Sequence, residues 1–540
     1  MTFNWQNPYL TSRTPVFARN VVSTSHPLAA QAGNWVLLRG GNAVDAAIAT
    51  AATLTIVEPV SNGLGSDAFA LVWAEGQLHG LNASGPAPSH WDLNYFRRRY
   101  GEDGRGLAQR PERGWDSVTI PGAIAGWEAL HRRFGQLPFS DLMHSAIDIA
   151  ERGVTLAPMV AHKWQAATPI LANQPGFAGT FMPGGRAPKT GELFRFSAAA
   201  KTLRLLANQG ARAFYEGEIA EAIVGWAQQT GGQLTLEDLR SYQPEWVTPI
   251  SQQYRGHEVH EIPPNGQGIA ALIALGILQQ FDLASLQRDG IDAQHLQIEA
   301  MKLAFADVYQ YVADPNSMDV TPEQMLDSQY LKQRAAQINL TRASLPGPGI
   351  PRSGGTVYLT TADEHGMMVS FIQSNYMGFG SGVVVPEYGI SLQNRGAGFS
   401  SCPKSANVVT PGKRPFHTII PAFLTKQGQP QMSFGVMGGD MQPQGHVQTL
   451  VRMLDFQQQP QAACDAPRWK VNRDFTLDLE HHFDPTVIAE LQARGHKLKS
   501  INDPYMDFGA GQFIWRLSDS ADHGYVAASD SRRDGQALGF

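Results

Sequence analysis

"SGGTVYLTTADEHGMMVSFIQSNY", residues 353–376, is where the chain changes character. The run before it, "NLTRASLPGPGIPRSGG" (339–355), is crowded with proline, glycine and serine, which favour turns over regular structure. From Thr356 onward, "TVYLTTAD" and "MMVSFIQSN" read as two strands joined by a tight turn at Glu364-His365-Gly366. A threonine that opens a strand straight after such a loop is suited to become a new N-terminus. Its hydroxyl is a weak nucleophile and needs a base. A freed α-amine, with a pKa of about 7.7–8.0, supplies one on the same residue. Gly354 and Gly355 before it would let the backbone contort enough for Oγ to reach the preceding carbonyl.

Outward from this junction the two sides differ. Upstream the chain reads mostly as helices, such as "GNAVDAAIATAATLTIVEP" stopped by Pro59, and "PGAIAGWEALHRRFG" with Pro121 near its start and Gly135 past its end. One hairpin is expected across Glu75-Gly76. Downstream the chain is strand-rich, with one amphipathic helix in "GHVQTLVRMLDF". The two parts fit either two domains or two halves of one layered α/β unit.

Composition narrows the function classes. The chain has 540 residues, 43% hydrophobic and 17% charged, with a net charge of −6. That balance gives no reason to expect a nucleic acid or an anionic membrane as partner. The longest nearly pure apolar stretch, "IAALIALGIL" (269–278), is too short to span a bilayer. With no secretory signal in the first residues, a soluble cytoplasmic protein is expected. Cys402 and Cys464 are expected as two buried free thiols.

Motifs for other chemistries are missing or misplaced. No phosphate-cradling glycine loop opens a helix, and no GxSxG elbow is present. His257 and His260 in "HEVHE" are three apart in an expected strand, hence on opposite faces, and "EHHFD" (480–484) reads as a polar turn. No metal or other cofactor is expected. "FGVMGGD" (434–440) ends a strand in Gly438-Gly439, whose adjacent amides could face an oxyanion, though a simple tight turn would look the same.

Taken together, these segments resemble the gamma-glutamyltransferase (gamma-glutamyltranspeptidase) family of N-terminal nucleophile hydrolases. The resemblance runs through "GGNAVDAAIATAATLTIVEPVSNGLGSDAFALVW" (40–73), "PPNGQGIAALIALGIL" (263–278), "GKRPFHTIIPAF" (412–423) and "GVMGGDMQPQGHVQTLVRMLDF" (435–456). It implies a four-layer αββα sandwich of two stacked sheets between helical layers. It also implies a precursor that cleaves itself at Gly355–Thr356 into a large fragment, 1–355, and a small one, 356–540, which stay together as a heterodimer and could assemble further. By the same resemblance Thr356 matches the nucleophile, Gly438 and Gly439 the oxyanion hole, and Ser374 a second hydroxyl near the amine. Asn394 lies in the motif that follows.

The departures concern the donor. Where the family keeps an arginine for the substrate α-carboxylate, "LNASGPAP" (81–88) places Asn82. The two carboxylates that hold the α-amino group are replaced by Arg395 and Gly398 in "LQNRGAGFS", and a paired serine by His417-Thr418. "SSCPKSANVVTPG" (400–412) looks too short for the usual lid. An ammonium would meet a guanidinium here, so Arg395 either pairs with an acidic acyl donor or is a structural bridge. The expected activity is a gamma-glutamyltransferase-like amidohydrolase favouring hydrolysis over transfer. A glutaryl (cephalosporin) acylase is the alternative, and an uncleaved binding or scaffold relative the reading from another class.

Overall fold

The computed structural model describes residues 13–346, 355–499, 508–518 and 524–540. Gly354 and most of the glycine-proline junction therefore lie outside the described residues.

Strands from both sides of the junction share the same sheets. In chain order they are β1 (Val16–Ala18), β2 (Val21–Thr24), β3 (Asp67–Ala74), β4 (Gln77–Ala83), β5 (Glu245–Val247), β6 (Ile250–Tyr254) and β7 (His257–Glu261). After the junction come β8 (Gly355–Ala362), β9 (Met368–Tyr376), β10 (Ala422–Lys426), β11 (Gln429–Met437), β12 (Ala510–Arg516), β13 (Tyr525–Ser529) and β14 (Gln536–Gly539). One seven-stranded sheet has the order β1-β13-β12-β11-β10-β7-β6, the other β14-β2-β8-β9-β3-β4-β5. Every neighbouring pair in them is antiparallel. The helix-rich and strand-rich halves are thus one interleaved unit. Neither half could complete a sheet by itself.

Helices cover both outer faces. Helix α1 (Pro27–Leu38) and helix α2 (Ala43–Val57) pack with the second sheet, where Val357, Leu359, Val369 and Phe371 join their core. Helix α3 (Ile269–Leu278) and helix α4 (Ile291–Tyr311) pack with the first, together with Val259, Leu424 and Phe434. A third core of Phe69, Leu71, Tyr358, Ile372, Ile420 and Phe423 fills the space between the sheets. The fold is the expected four-layer αββα sandwich.

Local signals read from the sequence hold up in detail. Asn42 caps α2 with a reciprocal bond to Asp45. The β3–β4 turn falls at Glu75 and Gly76, both at positive φ, the arrangement a two-residue hairpin demands. "HEVHE" is strand β7, and "EHHFD" is a turn whose Glu480 pairs with Arg532. Both cysteines are free, but Cys402 is only half-buried, because it sits in an exposed turn rather than in a core strand. No helix among the described residues is long and apolar enough to cross a membrane.

Candidate active site

The period-2 alternation of a strand decides where Thr356 points. Along β8, Val357 and Leu359 face the helices, whereas Thr356, Tyr358 and Thr360 face the space between the sheets. The β8–β9 register slips between Gly355 and Val357, so that Ser374 and Asn375 together oppose Thr356. Such a bulge re-aims side chains at the end of a ladder. Thr356 is 2% exposed; its Oγ1 donates to Ser374 Oγ at 3.3 Å, and Ser374 Oγ also accepts the Tyr376 N–H at 2.7 Å.

The second sheet partner supplies the glycine corner. After β11 the chain turns at Gly438 and Gly439, both at positive φ, into α5 (Met441–Leu450). A Cβ on Gly438 would lie 2.9 Å from the Gly509 Cα, so both conformation and space require glycine there. Gln267 Nε2 donates to the Gly439 and Thr418 carbonyls, tying this corner to the 417–420 segment. From the first turn of α5, Gln442 Nε2 reaches Thr356 Oγ1 at 3.4 Å.

Arg395 lies on the same side. It is 1% exposed, its Nη1 donates to Thr418 Oγ1 at 2.8 Å, and its Cζ sits 4.5 Å above the Tyr376 ring. Tyr376 is the register partner of Gly355, so Arg395 is one side chain removed from the Gly355–Thr356 bond. Its Nε and Nη2 have no hydrogen-bond partner among the described residues. Beside it, His417 accepts the Ile419 N–H on Nδ1, which leaves the ring proton on Nε2 to be donated to Asp67 Oδ2 at 3.2 Å. Burial, then Arg395, holds His417 well below the usual histidine range. Burial lifts Asp67 to about 7 despite the opposing field of Arg395. Burial lowers Arg395 itself to about 10.

Two expected contact residues are otherwise engaged. Asn82 Oδ1 accepts from both the backbone and the hydroxyl of Ser84, and its Nδ2 donates to Asn265. Asn394 spans the Met377 N–H and the Glu112 carbonyl. The structure gathers Thr356, Ser374, Gly438, Gly439, Arg395, His417 and Thr418 into one linked network, and sets these two asparagines into its walls. Sequence reading passed over Asp67, Gln267 and Gln442, all of them inside the quoted family segments but without a role attached.

The match to known proteins follows the same chain. The family model described as gamma-glutamyltranspeptidase matches residues 29–540. The chain belongs to the gamma-glutamyltranspeptidase family. A glutathione hydrolase-like proenzyme of Bacillus subtilis is 35% identical over 98% of this chain and 100% of its own length. An oxamate amidohydrolase proenzyme of Klebsiella pneumoniae is 36% identical over 95% of this chain and 97% of its own. Among solved structures, a cephalosporin acylase from Bacillus halodurans superposes with a TM-score of 0.94 at 47% identity, covering 100% of this chain and 99% of that one. This gamma-glutamyltranspeptidase relative is an amidohydrolase-type enzyme with the sheets and helical layers of that group.

Proposed function

We propose that the chain is a precursor that cuts itself at Gly355–Thr356, and that Thr356 is then the nucleophile of an amide hydrolase. The observation that carries this is the buried Thr356 hydroxyl at the start of β8, hydrogen-bonded to Ser374 and to Gln442, which stands three residues beyond the Gly438–Gly439 corner. Cleavage would leave fragments of 355 and 185 residues joined through both shared sheets. The freed amine takes the Oγ proton, Oγ attacks the donor carbonyl, and the Gly438 and Gly439 amides stabilise the oxyanion. The amine proton passes to the leaving amine, and water releases the acid from the acyl-enzyme.

Two donors share this apparatus. A γ-glutamyl amide is favoured by the glutathione hydrolase-like relative. An acyl group carrying a carboxylate and no α-ammonium is favoured by the chemistry of the pocket and by the relatives whose names specify oxamate and cephalosporins. A fully buried guanidinium with two unsatisfied nitrogens attracts a carboxylate and repels an ammonium. The acidic acyl donor is the reading we adopt.

Denaturing mass spectrometry of the wild type beside Thr356→Ala tests the nucleophile. Two fragments from the wild type, the smaller beginning at Thr356, and one intact chain without turnover from the variant are expected. A wild type that stays whole has no free amine at Thr356 and would return the scaffold reading. A panel of γ-glutamyl and glutaryl anilides then separates the donors.

A further inference from the structure

Gln442 enters the site with a fixed orientation. It is completely buried in the first turn of α5. The Ile420 N–H, which can only donate, meets its carboxamide at 2.9 Å, so that end is Oε1. The other end is therefore the NH2 group, and it faces Thr356 Oγ1 at 3.4 Å. The threonine hydroxyl stands between a group that can only donate to it and Ser374 Oγ, to which it donates at 3.3 Å.

We propose that Gln442 is a catalytic donor to the nucleophile: its locked amide fixes Oγ and stabilises the charge that builds there as the proton leaves. In the attack the O–H bond breaks toward the Thr356 amine and Oγ bonds to the carbonyl carbon. The carbonyl π pair moves onto oxygen at Gly438 and Gly439. Until the C–O bond is formed, the negative charge on Oγ has the Gln442 N–H directed at it, without reorganisation. This rests on Thr356 being the nucleophile. Neither the family resemblance nor the relatives' names assign Gln442 a part in the reaction.

The test compares Gln442→Glu and Gln442→Met with the wild type, on whichever anilide the wild type hydrolyses. Processing is followed by mass spectrometry, kcat and KM from pH 5 to 8.5. Glutamate keeps an oxygen for the Ile420 N–H, so a purely structural role predicts wild-type behaviour. A catalytic donor predicts something different. Methionine should lower kcat about 100-fold with KM changed only a few-fold. Glutamate should be similarly slow at pH 8, where it is ionised. Its rate relative to wild type should rise at least about tenfold toward pH 5, as a protonated carboxyl regains a donor. A flat ratio for glutamate, or wild-type kcat for methionine, overturns the proposal while leaving the nucleophile standing. Turnover retained in Thr356→Ala overturns both. A variant lacking a cooperative thermal transition is replaced by Gln442→Ser, read in the same way as methionine.

Discussion

Two groups of buried charges, one on α4 and one between the sheets, are wired in opposite ways. On α4, His295, Glu299 and Lys302 share a face and meet His496. The Lys302 ammonium donates to Glu299 Oε1 at 2.8 Å, His496 Nδ1 at 3.0 Å and the Ser344 carbonyl at 3.3 Å, which uses all three of its protons. His496 donates onward to His295, His295 to the Asn339 carbonyl, and Glu299 Oε2 accepts from the backbone and hydroxyl of Ser344. His295, Glu299 and His496 have ligand atoms within 4.8 Å of one another, as a metal site would, but the ammonium supplies the cation. Around Arg395 the network does not close: among the described residues one nitrogen is bonded, two have no partner, and the nearby carboxylate of Asp67 is given to His417. A closed network is scaffold. An open one, built from residues just as buried, fits the acidic donor proposed above.

Breaking the closed cluster should have the larger effect on folding. Lys302→Met leaves Glu299 charged, buried and without its ion partner, and should lower unfolding free energy by about 3–5 kcal/mol in chemical denaturation. Because Asn339 and Ser344 lie just upstream of the proposed Gly355–Thr356 cleavage site, the variant should also process more slowly in a time course of precursor loss. Its preference among donors should not move. A variant of wild-type stability would show that the closed network is not what holds this region.

Opening the other cluster should do the reverse. Arg395→Gln removes a buried charge that makes no direct ion pair and feels Asp67 only at a distance, so stability should change by less than about 1 kcal/mol, in either direction. The ratio of kcat/KM for a glutaryl anilide over a butyryl anilide should fall about 100-fold, the worth of a charge-assisted pair in a desolvated site. A ratio that stays put would make Arg395 a structural bridge to Thr418 and Tyr376.

The contrast also explains what the sequence could and could not reveal. The strand that carries Thr356 was legible because its signals are local: a glycine pair before it and strand alternation after it. The hairpin at Glu75-Gly76 and the cap at Asn42 were legible for the same reason. Asp67 and Gln442 were not. "SDAF" looks like any strand start and "MQPQ" like any first helical turn. Their roles arise when the 417–420 segment is laid between them, more than 300 residues from the one and about 20 from the other. Asn82 and Asn394 show the converse. Position in a motif suggested ligand contact, but partners 183 and 282 residues away in sequence had already taken their side chains.

The smallest effect sharpens the comparison most, because it needs no mutation. Asp67 is held up to about 7 by burial, Arg395 is lowered only to about 10, and His417 is kept neutral. Between pH 6 and 8.5 the titrating member of the trio is therefore Asp67. Below pH 7 it is protonated and the Arg395 charge is free for a donor carboxylate. Above pH 7 an internal carboxylate shares that charge, so binding an anionic donor must work against it, and binding takes up a proton. KM for a glutaryl anilide should accordingly rise with pH, by about tenfold from pH 6 to 8, the order expected when one neighbouring charge appears. A butyryl anilide, with no carboxylate, should show a flat KM over the same range. A freed Thr356 amine would titrate in this window too, but it would act on kcat for both donors alike, so the difference between their KM profiles isolates Asp67. Parallel profiles would mean that the donor carboxylate, if it binds, does not bind at Arg395, and the open cluster would have to be read as closed by water.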